Sequence, residues 1–158
     1  MKYTNILVPY DRSESAKRAL STALEIAADE DGAHVTVFFA SPVPEFESAQ
    51  FLAAENMSGV VRIPPEELAA MQKEYLDYER GLLVDDLKDF VGEAVLSCAD
   101  AFRIAVGQGK PSKAIIDYAE HNGVDLIVMG CRGLNAVAGM LGSVSYEVLR
   151  NASCPVLI

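Results

Sequence analysis

A glycine-rich stretch at residues 130–145 contains the residue types that are best suited to hold a phosphate group. Its sequence is GCRGLNAVAGMLGSVS, and it follows directly on an apolar run at 126–129. Glycines let a ligand approach the main chain, and a helix that begins at Gly142-Ser143 presents unpaired N–H groups to an anion. The glycines match neither the dinucleotide pattern G-x-G-x-x-G nor the pattern that ends in Gly-Lys-Ser/Thr. Two interpretations follow: a phosphate-binding loop, or a tight turn without a ligand.

Few charged side chains accompany this stretch, which limits the chemistry that it can perform. Hydrolysis of a phosphate needs a positioned water, usually a metal, and a charge that stabilises the transition state. Arg132 is the charged residue within the loop, and Asp11 is the carboxylate that we place near it. Each also has a simpler interpretation, Arg132 as a solvated loop residue and Asp11 as a helix cap. We therefore predict no catalytic residue and at most slow hydrolysis.

The composition favours a small ligand over a nucleic acid or a membrane. The 158 residues suit one domain, and the formal net charge is −10. This charge repels nucleic-acid phosphates and anionic lipids, whereas backbone N–H groups can still hold a small nucleotide. The three cysteines have no metal-like spacing, and no apolar run has the length of a signal-peptide core or of a membrane span. We expect a cytoplasmic protein without a metal site.

Apolar runs of strand length alternate with helical patterns along the chain. The strand candidates are residues 6–8, 35–40, 102–106, 125–129 and 155–158. Helices are predicted at residues 14–31, from Pro65 onwards, at 111–122 and at 143–151. In the long second helix, one stripe is predicted to face the core: Leu68, Met71, Tyr75, Tyr78 and Leu82, continued by Leu87 and Val91. Residues 42–64 hold neither the strand nor the helix period and are predicted to form an insertion.

This alternation predicts an α/β fold with a single doubly wound, five-stranded parallel sheet, strand order 3-2-1-4-5, and helices on both faces. Ligands of such sheets bind beyond the carboxyl ends of the strands, where the strand order reverses. With that order, the first and fourth strands are neighbours. Asp11 and Gly130, which follow these two strands, are then expected to line one crevice.

Several segments resemble the universal stress protein family, and the resemblance runs over nearly the whole chain. Residues 5–15, NILVPYDRSES, look like the first strand and the Asp-x-Ser turn of that family. Residues 106–115 are similar to its Gly-x-Pro helix start, and residues 125–133, DLIVMGCRG, to its fourth strand and loop. GSVS at 142–145 and CPVL at 154–157 resemble its last helix and strand. The resemblance implies one Rossmann-like domain over residues 1–158, with a variable insertion at about 42–64.

The nucleotide-binding branch of that family implies an adenine nucleotide as the ligand, ATP with or without Mg²⁺, bound by a stress-response sensor or regulator. By resemblance, Asp11 and Ala40 flank the adenine, Gly130 and Gly133 approach the ribose and phosphates, and Gly142 holds the distal phosphates with Ser143. The full set of residues implied for nucleotide binding is Pro9, Tyr10, Asp11, Ala40, Met129, Gly130, Arg132, Gly133, Gly142, Ser143, Val144 and Ser145. The resemblance also implies a homodimer formed through the C-terminal edge strand, and a protein partner whose identity is unknown.

The chain departs from the nucleotide-binding pattern of the family at one point. That pattern has nine residues between its second glycine and the Gly-Ser or Gly-Thr pair, whereas eight residues separate Gly133 from Gly142 here. In a helix, one deleted residue turns the following chain by about 100° and shortens it by about 1.5 Å. A second hypothesis is therefore a nucleotide-free dimeric interaction scaffold of the same fold. A third hypothesis is a nucleotide-dependent transferase. Such an enzyme is expected to carry a histidine or lysine near the phosphates. This hypothesis ranks last because His34 and His121 are predicted at a strand start and a helix end.

Overall fold

Five parallel strands form one sheet in the computed structural model, which describes residues 2–41, 64–96, 100–131 and 141–158. The strands are β1 (Asn5–Pro9), β2 (His34–Ser41), β3 (Phe102–Gln108), β4 (Leu126–Val128) and β5 (Val156–Leu157). Their spatial order is β3-β2-β1-β4-β5, and each neighbouring pair is parallel. This confirms the predicted strand order, including the position of β3 at an edge.

The helices among the described residues cover both faces of the sheet. They are α1 (Glu14–Ala28), α2 (Pro65–Val91), α3 (Glu93–Leu96), α4 (Pro111–His121) and α5 (Ser143–Asn151). In this part of the chain, none of the helices combines the length and the apolarity that a membrane span requires. Most of the predicted insertion, residues 42–63, lies outside the described residues.

The continuous apolar run of β1 is explained by its central place in the sheet. Successive side chains of a strand point to opposite faces, and both faces of a doubly wound sheet are covered. Ile6 and Val8 belong to the core that α1 and α2 form on one face, whereas Leu7 belongs to the core under α4 and α5. All three side chains are fully buried. A strand with this run could not have one face in water.

The stripe predicted for the core face of α2 is wrong at three of its positions. The side chains of Met71, Tyr78 and Leu82 are 49%, 62% and 38% exposed, whereas Leu68 and Leu87 are buried as expected. Leu83, which lies outside the predicted stripe, is also fully buried. At 27 residues, α2 is about 40 Å long, and the strands that it covers are far shorter. Packing on the sheet therefore buries the second half of the helix on the side of Leu83 and Leu87.

The start of α1 settles which residue caps this helix. Ser13 is the N-cap, and its Oγ accepts a hydrogen bond of 3.1 Å from the backbone N–H of Ala16. Asp11 bonds to the turn before the helix, where its Oδ1 accepts a 3.0 Å hydrogen bond from the N–H of Ser13. The two polar residues therefore fix the turn that leads from β1 into α1, and this turn lies at the carboxyl edge of the sheet.

Candidate functional site

A crevice of about 390 Å³ opens at the carboxyl ends of the strands, between the turn after β1 and the start of α5. Its position is the point where the strand order reverses between β1 and β4, as the sequence analysis expects for a ligand site. The structure brings these predicted residues together in its lining: Pro9, Tyr10, Asp11, Ala40, Met129, Gly130, Gly142, Ser143, Val144 and Ser145. The other two predicted residues, Arg132 and Gly133, lie outside the described residues.

Tyr10 forms part of the crevice wall, and a hydrogen bond to α2 fixes its side chain. Its side chain is 2% exposed, and its hydroxyl donates a 2.8 Å hydrogen bond to Oδ2 of Asp86 on α2. Burial, together with this carboxylate, raises the pKa of the Tyr10 hydroxyl well above its ordinary value. The group therefore stays protonated and serves to anchor β1 to α2.

Gly130 is required by the packing of α1, whatever the ligand. A Cβ atom built on Gly130 would lie 2.3 Å from Oγ and 2.8 Å from the backbone carbon of Ser15. The carbonyl oxygen of Gly130 also accepts a 2.8 Å hydrogen bond from Oγ of Ser145 on α5. The end of β4 is thus fixed against two helices. The buried Ser145 hydroxyl is used in this contact, so its role is structural in this geometry.

Among the described residues, none provides a side-chain cap for the start of α5. Gly142 is the N-cap residue, and its own N–H donates a 2.8 Å hydrogen bond to the carbonyl oxygen of Cys131. The next three N–H groups, those of Ser143, Val144 and Ser145, have no acceptor within a helix. They stand at the positive end of the helix dipole, and all three residues line the crevice. This arrangement suits an anion.

Gly142 does not need to be glycine for reasons of backbone conformation. Its φ is −62° and its ψ is 150°, which is extended backbone that any residue adopts. Gly142 lines the crevice beside the first turn of α5. Gly130 is glycine for a steric reason, since its replacement would displace a helix.

An ion pair on the rim fixes α5 against α4. Nζ of Lys110, the N-cap residue of α4, lies 2.8 Å from Oε2 of Glu147 on α5. Oγ of Ser112 donates a second hydrogen bond to the same carboxylate. The hydrogen bonds from Lys110 and then from Ser112 lower the pKa of Glu147. The orientation of the α5 start is therefore set by contacts one turn further along the helix.

Sequence reasoning missed several residues of the lining. They are Ser13, Ala16, Phe38, Phe39, Pro111 and Ile115. The rule that ligands meet the carboxyl ends of parallel strands, applied to β2 as it was to β1, would have found Phe38 and Phe39 beside Ala40. The same rule leads to Pro111, which follows β3. Ile115 has no such signal, because it reaches the crevice by the packing of α4.

Arg12, which follows Asp11 in the turn after β1, has a strained backbone conformation. Its φ is 67°, a region that residues with a side chain rarely adopt. Its Cζ lies 5.4 Å from the centre of the Phe39 ring, and its Nη2 lies 3.8 Å from Oε2 of Glu79 on α2. Among the described residues, its buried Nε and Nη2 have no hydrogen-bond partner. Arg12 therefore links the turn after β1 to the aromatic wall and to α2.

The histidines and acidic residues offer no further chemistry at this crevice. His34 begins β2, at the opposite edge of the sheet from the crevice, and His121 ends α4. Within the described ranges, no three His, Cys, Asp or Glu residues are grouped as a metal would require. The described lining thus combines an uncapped helix start, one carboxylate and an apolar wall.

Comparisons with known proteins place this geometry in context. The sequence profile described as the Universal stress protein family matches residues 2–158. A universal stress protein of Thermus aquaticus is 33% identical over 158 residues, which are 99% of this chain and 98% of that protein. The universal stress protein UspA from Lactobacillus plantarum is 28% identical, with a TM-score of 0.67 over 99% of this chain and 97% of that one. A universal stress protein crystallised in complex with cAMP is 24% identical, with a TM-score of 0.60 over 100% of this chain and 97% of that one.

Proposed function

The chain belongs to the universal stress protein family, and we propose that it binds an adenine nucleotide, ATP above all, in the crevice described above. The observation that carries the proposal is the uncapped start of α5, which faces an otherwise mostly apolar crevice at the switch point of the sheet. The N–H groups of Ser143, Val144 and Ser145 suit phosphate oxygens. The formal net charge of −10 does not oppose this binding, because the backbone N–H groups at the start of α5 form the positive end of the helix dipole.

The base would occupy the opposite end of the crevice. Phe39 and Ala40 at the end of β2, and Asp11 after β1, form a wall there with one polar group. Asp11 already accepts a hydrogen bond from Ser13 at one oxygen, which holds its carboxylate in place. The volume of about 390 Å³ lies within the usual range for small-molecule sites. In this arrangement Asp11 recognises the adenine, while α5 holds the phosphates.

The solved structure with cAMP supports the ligand class through the shared fold. That protein was crystallised with an adenine nucleotide, and its likeness to this chain covers both chains almost completely. The support is limited to the fold, and the residues that would make the contacts here are those of this crevice. Arg132 and Gly133 keep their proposed roles beside the ribose and phosphates.

We assign a sensor or regulator role, with at most slow hydrolysis of ATP. Rapid hydrolysis needs a base or positioned water and a cation at the transition state. In the described lining, Asp11 is the one carboxylate, and it is engaged in the turn before α1. Mg²⁺ would then enter with the nucleotide as its phosphate complex. The binding state, rather than turnover, would carry the signal.

A titration of thermal unfolding and heat of binding tests the proposal directly. ATP, ADP, AMP and cAMP are added with and without Mg²⁺ to protein from which bound nucleotide has been removed. A ligand present at about 100 times its Kd raises the free energy of unfolding by about 2.7 kcal/mol. We expect this stabilisation with ATP. No shift at millimolar ATP would instead support the nucleotide-free dimeric scaffold, which the shortened loop between Gly133 and Gly142 favours.

Ser143→Ala provides the matched variant for the phosphate end. Ser143 is exposed and carries no capping hydrogen bond, so its loss leaves the fold intact. Loss of a hydroxyl that bonds a charged phosphate lowers affinity by roughly tenfold or more. Ser153→Ala makes the same change at an exposed site beyond the far end of α5 and keeps the wild-type affinity. Equal affinities of all three proteins for ATP would remove α5 from the site.

We also propose a homodimer formed through β5. This strand pairs with β4 on one side, and Leu157 and Ile158 are 41% and 45% exposed. Leu149 on α5 is 49% exposed, so it adds to the apolar surface that pairing would cover. Sedimentation at micromolar concentration is expected to give a dimer, and Leu157→Asp a monomer. A wild-type protein that sediments only as a monomer contradicts this assembly.

The proposed setting is a single domain over residues 1–158 in the cytoplasm. Residues 42–64 are assigned to a variable insertion between β2 and α2. Cys131 and Cys154 are both free thiols, which suits a reducing compartment.

A further inference from the structure

The middle part of the stripe that was expected to face the core forms an exposed surface on α2. Met71, Tyr75, Tyr78 and Leu82 lie on consecutive turns of one side of the helix, at spacings of four, three and four residues. The exposed fractions of Met71, Tyr78 and Leu82 are 49%, 62% and 38%. We call these four residues the α2 stripe. Tyr and Met side chains are common anchors of protein interfaces, since they present large apolar areas with few polar atoms.

Acidic residues surround the α2 stripe on its own side of the helix. At about 100° per residue, Glu67, Glu74, Asp85 and Asp89 lie within about 70° of the centre of the stripe. All four are exposed. By the same geometry, Lys73 and Arg80 lie about 170° away, on the opposite side. Lys88 lies about 110° away, and its Nζ is 3.6 Å from Oδ1 of Asp85. The apolar stripe thus has a negatively charged rim.

Tyr75 is linked through Glu79 to the turn after β1. Its hydroxyl donates a 2.9 Å hydrogen bond to Oε1 of Glu79 on the same helix, and Oε2 of Glu79 lies 3.8 Å from Nη2 of Arg12. Glu79 therefore contacts both a stripe residue and Arg12.

The charge of the rim decides between the possible occupants. A second copy of the same face would bring acid against acid, and an anionic lipid surface would meet the same repulsion. Residues 42–63 carry Glu45, Glu47 and Glu55 against the one cation Arg62, so the charge of that segment does not match either. A segment with apolar residues on one side and Lys or Arg on the other matches both the stripe and its rim.

We propose that the α2 stripe docks a basic amphipathic helix of another protein. The apolar side of that helix covers Met71, Tyr78 and Leu82, and its cations face Glu67 and Glu74. The proposal does not depend on nucleotide binding in the crevice, and it gives chemistry to a protein partner that the family resemblance leaves unknown. Its energetic centre is Tyr78, the most exposed member of the stripe.

The test uses the full chain and a synthetic amphipathic peptide of leucine and lysine that is about five helical turns long. Isothermal titration is expected to show binding to the wild-type protein. Tyr78→Ala weakens it by at least about tenfold, because the central apolar anchor is lost. Tyr146→Ala makes the same truncation at a 54% exposed tyrosine on α5 and leaves the peptide affinity unchanged. Circular dichroism verifies that both variants stay folded.

A second pair of variants distinguishes the effect of the rim's charge from the effect of the protein's net charge. Glu74→Gln lies beside the stripe and Asp77→Asn lies on the far side, although both remove one negative charge from exposed positions. We expect slower association and weaker salt dependence for Glu74→Gln only. Equal effects of the two changes, or equal binding of a scrambled peptide of the same composition, would mean non-specific attraction and would overturn the proposal. A change of oligomeric state in Tyr78→Ala would also overturn it, in favour of a second copy.

Discussion

At the scale of single residues, packing explains why glycine is needed at one of the two glycine positions of the crevice. Gly130 touches Ser15 so closely that a Cβ would stand 2.3 Å from its Oγ, so the packing of α1 on β4 needs this glycine without any ligand. Gly142 has an extended backbone that any residue adopts. Packing therefore requires glycine at position 130, whereas the backbone conformation does not require it at position 142. Sequence spacing treated the two alike.

Gly130→Ala is expected to lower the free energy of unfolding by about 1–3 kcal/mol, because α1 must shift to admit the methyl group. Gly81→Ala in α2 is the matched control, since a Cβ there meets no atom within 4 Å. That change is expected to raise the free energy of unfolding by about 1 kcal/mol, as alanine is the better helix former. Urea unfolding measures both values. A Gly130→Ala protein as stable as the wild type would contradict the close contact.

Arg12→Gly and Arg12→Ala separate backbone strain from side-chain contacts. Both variants lose the contact with Phe39 and the ion pair with Glu79. Only glycine accepts the φ of 67° without strain. We therefore expect Arg12→Gly to be more stable than Arg12→Ala by about 1 kcal/mol in urea unfolding. The reverse order would show that the turn does not hold this conformation in solution.

At the scale of elements, the two helix starts that border the crevice differ in how their backbone N–H groups are capped. The start of α1 is closed by the Ser13 hydroxyl, while that of α5 has no side-chain cap. A closed start stabilises its helix, and an open start is left for an anion. The pair α1 and α5 thus shows why a serine at a helix start has to be judged by its hydrogen bonds.

Ser13→Ala is expected to cost about 1 kcal/mol in the free energy of unfolding, because the N–H of Ala16 loses its acceptor. Ser143→Ala in the ligand-free protein is the comparison and should stay within about 0.5 kcal/mol of the wild type. Urea unfolding of the two variants side by side is the measurement. If Ser143→Ala costs as much as Ser13→Ala, then the Ser143 hydroxyl caps α5 and is not available to a ligand.

At the scale of the whole molecule, folding is coupled to the protonation of His34. Burial, and then the nearby charge of Arg103, lower the pKa of His34 from its ordinary value of 6.5. The unfolded chain then binds a proton more readily than the folded one. The free energy of unfolding therefore falls as the pH decreases through about 6.5, until His34 is protonated in the folded state as well.

His34→Gln is expected to remove this part of the pH dependence. The difference in stability between wild type and variant should be constant above about pH 7.5, where histidine is neutral in both states, and should change in favour of the variant below about pH 6.5. Urea unfolding between pH 5 and 8, a range in which carboxylates titrate little, provides the measurement. Parallel curves for the two proteins would mean that the His34 pKa is not shifted by folding.

The amino-acid sequence by itself determined the sheet, its strand order and the place of the crevice. The apolar runs of strand length, the caps and the alternation of elements are local signals, and the rules for parallel sheets convert them into one topology. They also placed Asp11, Ala40 and the Gly142-Ser143 helix start in the same lining.

Only the tertiary structure decided which side of α2 is buried and what each polar group bonds. The helix period predicted Leu87 in the core together with Tyr78, and contact with the sheet buried Leu83 and Leu87 while it left Tyr78 exposed. The Ser145 hydroxyl donates a hydrogen bond to the carbonyl of Gly130, a partner that the sequence did not predict. Such outcomes depend on distances between segments far apart in the chain. A periodic pattern within one segment does not contain those distances, so it cannot determine them.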